Sequence, residues 1–212
     1  MAVEAAQGIE TCDVQHTMIE VFDKPKVLRS QLDSAVRLVS LEDDFVAAHS
    51  IVMACEELFR TWYVQNNLFV DFDYRIFIKD EYHKEYLKTI RADYNFFKHA
   101  DRDLDDVIEV DHEHFHRRNE VLLFLHIAGY RKVFGEISPV MTAYFQWATI
   151  AYPDFIKWEN VPGGESRRSQ IAKIENDPVV KRQLLRVMLY DVGALDSADF
   201  SRLQLWKAKT KK

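Results

Sequence analysis

Between Phe45 and Tyr63 the apolar side chains Ala48, Ile51, Val52, Cys55, Leu58, Phe59 and Trp62 return at helical spacing, so one continuous stripe runs down a helix of about five turns. A segment patterned this way must bury the stripe against another element, and a matching neighbour lies just upstream. Leu32, Ala35, Val36 and Val39 repeat the same period, with Ser30 and Asp33 read as a capping pair at the start and the acidic turn Glu42-Asp43-Asp44 as the stop. So short a polar connection predicts an antiparallel helical hairpin.

The helical period governs most of the remaining chain. From Asp80 onward Tyr82, Tyr86, Ile90, Tyr94 and Phe97 step nearly every four residues, which predicts a helix running into NFFKHADRD. The segment Asp101 to Asp106 holds four Asp among six residues and reads as a loop, because so much like charge repels along a helix face. Asp111 can cap a helix through VLLFLHIAGYRKVF that Gly135 ends, and Val121 to Ala128 is apolar on nearly every side, which predicts a central place. Ser138-Pro139 opens another helix that Pro153 closes, Pro162-Gly163-Gly164 is a loop, and Asp177-Pro178 opens a last helix ended by Gly193. Asn66 to Ile78 is aromatic and β-prone but short and isolated, and is read as irregular or short helix. A chain of 212 residues suits one sizeable core, and six Gly and five Pro against 29% charged residues exclude collagen-like and linker-dominated folds. The expected fold is all-α, a single antiparallel bundle of about seven helices over 30–193, with a polar leader at 1–29 and a C-terminal segment with a basic tail at 194–212.

Charge and cysteine usage narrow the setting. With 28 basic and 34 acidic side chains, a net charge of −6, no global field draws the chain to a polyanion, and nucleic acid would need a local patch. Cys12 and Cys55 cannot build a disulfide framework or a thiolate metal site, and the first residues lack the basic and apolar regions of a secretory signal. A reducing, cytoplasmic location is the expectation. The longest charge-free stretch, Ile137 to Pro153, is broken by Ser138, Pro139, Thr142, Gln146 and Thr149 and falls short of the roughly 20 apolar residues a bilayer requires. No membrane association is expected, and four Trp and nine Tyr make a homodimer through a helix face the expected partner.

Three clusters carry candidate chemistry. His112-Glu113-His114-Phe115-His116 formally fits H-E-x-x-H, with His112 and His116 one turn apart as metal ligands, Glu113 as general base and His126 or Glu136 as a third ligand. Its position between an acidic run and Arg117-Arg118, with no sheet behind it, argues against a protease and for a charged surface stretch. On the second helix His49, Glu56 and Arg60 fall within about 40° of one another on the flank of the apolar stripe. His49 and Glu56 are about 10.5 Å apart along the axis and need another helix to share an ion; otherwise Glu56 and Arg60 form a surface pair and His49 bonds between helices. The third cluster, Asn95 to Asp103, delivers His99, Asp101, Arg102 and Asp103 at the end of an aromatic helix. There His99 and Asp101 can share a divalent cation, or Asp101 can fix the tautomer of His99, or both acids can simply cap a tight turn.

The string NFFKHADRD, preceded by AVRL and AAHSIVMACEELFR, resembles a group of uncharacterised bacterial proteins that share this signature and an A-x-x-L…D-x-x-A-A-H-x-x-x-x-A-x-E-x-L arrangement. The resemblance covers Leu32 to Asp106 and implies no activity. It picks out His49, Glu56 or Glu57, Asn95, Phe96, Phe97, Lys98, His99, Asp101, Arg102 and Asp103, and leaves His112 to His116 outside. More loosely, the hairpin is similar to HEPN-type domains, the helical bundles of prokaryotic RNA-cutting toxins and nucleotide-binding accessory proteins. That likeness implies an Arg that stabilises phosphorane charge and a His that moves the proton of a 2′-OH. The family spacing of five to seven residues is not met: Arg91 precedes His99 by eight.

The expectation is therefore spatial. If the loop His99 to Asp103 lies against the polar flank of the His49 helix, His49, Glu56, His99 and Asp101 form a site for a divalent metal (Zn, Mn, Fe or Mg) or a small polar ligand, with His112 and His116 as weaker metal candidates. Asn95, Lys98 and Arg102 would then contact the ligand, and His99, Arg91 and Asp101 would be the candidates for catalysis. A HEPN-like RNA-cleaving or nucleotide-binding module and a non-catalytic interaction module are the alternatives.

Overall fold

The structure is a computed structural model that describes residues 21–42, 44–66, 83–98, 105, 107–156, 158, 163–174 and 177–199. Residues 67–78, the loop 99–103 and the basic tail, for which the sequence raised expectations, lie outside the described residues.

Among those residues the chain is all-α, a bundle of seven α-helices with no strand. The first, α1, spans Lys24–Leu41 and begins six residues before Ser30. The Asp23 carboxylate accepts the Lys26 N–H at 2.8 Å and Pro25 fixes φ at the second helical position, so the start signal lies upstream of the Ser30–Asp33 pair. Residues 24–29 thus belong to the bundle rather than to a polar leader, and Leu28 is buried in it. At the other end Glu42 adopts φ 54° and its N–H returns to Val39, so the acidic turn stops the helix as expected. Asp44 then caps α2, Phe45–Asn66, by accepting the Ala47 N–H at 2.8 Å.

The two helices fold back on each other: Cys55 on α2 lies 3.7 Å from Gln31 on α1, each about ten residues from the turn. Burial pushes the Cys55 thiol up to about 12, so it stays protonated and acts as a small apolar residue. The helix α3, His83–Lys98, packs on α2. The long helix α4, His112–Phe134, opens on Asp111 and closes at Gly135, and it packs against α1, α2 and α5. Its Leu122, Leu123, Phe124 and Ile127 are buried, which gives it the central place its apolar run predicts.

The helix α5, Pro139–Ala151, is capped by Ser138, whose hydroxyl accepts the Met141 N–H at 3.0 Å and donates to Asp33 of α1. A 3-10 turn, Pro153–Phe155, follows. The short α6, Gly164–Ile171, is polar, with only Gly164 buried, and α7, Pro178–Asp191, returns to the core through Leu185 and Leu189. No helix among the described residues is long and apolar enough to cross a membrane.

Candidate functional site

The His49 flank is built by α2, α3 and α4. His49 is fully buried, with its Nδ1 2.7 Å from Asn119 Oδ1. The amide nitrogen of Asn119 donates to Phe45 O at 3.1 Å, so its oxygen faces the ring and His49 Nδ1 carries the proton. Phe115 and Phe97 enclose the imidazole at centroid distances of 4.8 and 6.1 Å. The α3 end is held there by Lys98 on Glu57 at 3.3 Å and by a short contact of Arg118 with Asp93. Glu56 turns to Arg91 at 3.8 Å rather than forming the expected surface pair with Arg60. Burial raises the Glu56 pKa, and the charges of Arg91 and Arg60 only partly oppose it.

Thus His49 and Glu56 serve different neighbours two turns apart. Asn95 is exposed and Phe96 half-buried, while His99, Asp101, Arg102 and Asp103 are outside the described residues. Among the described residues no group of three or more His, Cys, Asp or Glu is placed to hold a metal ion.

The histidine string divides at its middle. His112, Glu113 and His114 are exposed, but Phe115 and His116 turn inward, so the segment is only half a surface stretch. The rings of His112 and His116 are parallel with centroids 6.4 Å apart, and Glu113 binds Arg182 instead of standing ready as a base. Neither suggested third ligand reaches them. His126 packs against Phe59 at 5.6 Å with its Nδ1 on the Leu122 carbonyl, and Glu136 is exposed beyond the end of α4. Burial, only partly opposed by that backbone bond, lowers the His126 pKa to about 4.

What the sequence did not announce is a polar cluster centred on Glu120, which takes in Glu113 and His116 of that string. This carboxylate is 3% exposed, and three elements converge on it. Arg182 of α7 donates from Nε at 3.2 Å and His116 Nε2 stands 3.3 Å from the same oxygen, while the Tyr152 hydroxyl donates to the other in a short contact. Arg182 extends the network to Glu42 at 3.1 Å and to both oxygens of Glu113 at 2.7 and 3.3 Å. Arg186 completes it with bonds to Glu42 at 2.7 Å and to Ser40 O at 2.6 Å. Burial works to raise the Glu120 and Glu42 pKa values, but the surrounding histidine, hydroxyl and guanidinium groups overcome it and hold both below the ordinary carboxylate range. Burial and the neighbouring Glu120 charge push the Tyr152 hydroxyl up, so it remains a donor.

This cluster forms one wall of a cleft of about 220 Å³ between α4, the end of α5 and the start of α7. Trp147 and Tyr152 stand buried in its wall, and Arg117, Lys181 and Arg182 give it positive charge. The α5–α7 seam beneath is fixed by Trp147 Nε1 donating to Lys181 O at 2.6 Å and Lys181 Nζ donating to Ala151 O at 3.1 Å. An ionised carboxylate that polarises a tyrosine hydroxyl beside guanidinium groups can orient a polar ligand and share a proton with it. The available sequence signal was the spacing of Glu113, His116 and Glu120 on one face of α4 and of Arg182 and Arg186 on one face of α7. No family model matches this chain, and no curated protein or solved structure matches it either.

Proposed function

We propose that this protein binds a small polar ligand in the cleft between α4, α5 and α7. The observation that carries this reading is the buried carboxylate of Glu120, contacted by His116, Tyr152 and Arg182 at the wall of an open cleft. Burying several charges together stabilises a fold weakly or not at all compared with apolar packing, so such a cluster is better explained by a site than by the core. The polar-ligand expectation formed on the sequence is thereby carried by residues other than His49, Glu56, His99 and Asp101.

A second reading keeps the His49 flank. It is supported by Phe97 of α3, whose ring lies 6.1 Å from that of His49. Nuclear magnetic resonance titration separates the two. Small carboxylates, phosphates and neutral polar compounds should shift the Trp147 indole N–H and the Ala151 methyl group, whereas zinc or manganese acting on the second site should perturb His49 instead. A panel that leaves the Trp147 and Ala151 signals unmoved would remove the cleft reading.

A further inference from the structure

Three carboxylates share the Arg182 guanidinium, and they differ in how firmly they are held. The Glu120 side chain is 4% exposed and touched by His116, Tyr152 and Arg182, and Glu42 is pinned from its other side by Arg186. Glu113 is different: its side chain is 63% exposed, and among the described residues Arg182 alone holds it, through both carboxylate oxygens. It therefore sits on the outward edge of the guanidinium, the edge whose fork matches a carboxylate or phosphate group.

The cleft is also positive where the chain as a whole is acidic. Three cations, Arg117, Lys181 and Arg182, line it against two carboxylates, in a protein of net charge −6. Arg117 is exposed, lies over the Tyr152 ring at 5.9 Å and makes no ion pair among the described residues, so one guanidinium at the mouth is uncommitted. Ala151, Tyr152 and Pro178 line the cleft beside these charges, with Trp147 buried in its wall. An enclosed cavity of about 150 Å³ takes up benzene, so the 220 Å³ here suits a body only slightly larger.

We infer that the ligand is a small aromatic or aliphatic oxyanion and that Glu113 is a built-in competitor for its place, forked onto Arg182 where the ligand's carboxylate or phosphate group docks beside Arg117. This rests on the cleft reading and adds the ligand class and the gate. On binding, Glu113 swings into solvent and Arg182 exchanges one oxyanion for another, with Glu120 and Glu42 left in place.

Isothermal titration of benzoate, phenyl phosphate and benzyl alcohol into the wild type and the Glu113→Gln, Glu113→Asp and Arg117→Gln variants, with the Trp147 indole N–H followed by nuclear magnetic resonance, tests it. Freeing Arg182 from an exposed partner should tighten binding about threefold to fivefold in both Glu113 variants. The aspartate keeps the charge but is a methylene too short for the fork, so a gain there isolates release of Arg182 from the change in charge. Arg117→Gln should weaken binding, and the tighter of the two probes identifies the headgroup as carboxylate or phosphate. Glu113 variants that bind no tighter than the wild type overturn the gate alone. Benzyl alcohol shifting Trp147 as strongly as the anions overturns the ligand class but leaves the cleft, and no shift at Trp147 by any compound removes both.

Discussion

The imidazole of His126 carries the clearest consequence at the scale of one residue. In an unfolded chain it takes up a proton near its ordinary pKa of 6.5, while in the bundle burial holds the ring neutral down to about 4. Between those values the unfolded state binds a proton that the folded state does not, so stability falls as the pH is lowered from 6.5 toward 4. By pH 5 the loss from this group amounts to about 2 kcal/mol. Urea denaturation at pH 7.5 and pH 5 should register it, and His126→Leu should flatten that part of the profile. A ring whose resonances titrate near pH 6.5 in the folded protein would contradict the assignment. Its neighbour in kind, His116, is buried on another side of α4 against Glu120. From the sequence both were candidate ligands of one ion, and the turn of the helix sends them apart.

Among the elements, the link from α5 to α6 tests backbone geometry. Gly163 has φ +68° and nothing within 4 Å of where a Cβ would stand, whereas a Cβ on Gly164 would fall 2.0 Å from the Trp158 carbonyl oxygen. Gly163→Ala should therefore cost about 1 kcal/mol from the left-handed backbone alone. Gly164→Ala has to push the Trp158 backbone away and should cost about 1–3 kcal/mol, with a shift in Trp158 fluorescence that Gly163→Ala lacks. Equal losses and no fluorescence difference would show that Trp158 does not rest on α6. The start of α1 makes a related point about local signals. Asp23 with Pro25 and Ser30 with Asp33 are both plausible openings, and the first prevails because extending the helix buries Leu28. Asp33 then serves the cap of α5 by accepting from Ser138, more than a hundred residues away.

At the scale of the whole molecule, Arg182 ties the end of α1 and two turns of α4 to the first turns of α7. Its arms should differ in strength according to their burial. A double-mutant cycle between Arg182→Gln and Glu120→Gln should give a coupling above about 1 kcal/mol, and the cycle with Glu113→Gln a coupling below it. Denaturant titrations of the six proteins measure both, and equal couplings would mean that the Glu120 arm is as solvated as the exposed one. The all-α bundle, the hairpin, the central α4 and most helix ends were legible in the chain because apolar period and capping chemistry act over a few residues. The bonds of Arg182 and Arg186 that build the polar cluster were not, because ion pairs across 62 to 144 positions depend on how helices are set against one another. By itself the sequence determined the six longer helices and the face each buries, though not the polar α6, since those are fixed by local hydrogen bonding and by the removal of apolar stripes from water. Only the tertiary packing decided that α1, α4 and α7 bring three carboxylates to one guanidinium, because a charge has no preferred partner until desolvation leaves it a few neighbours to choose from.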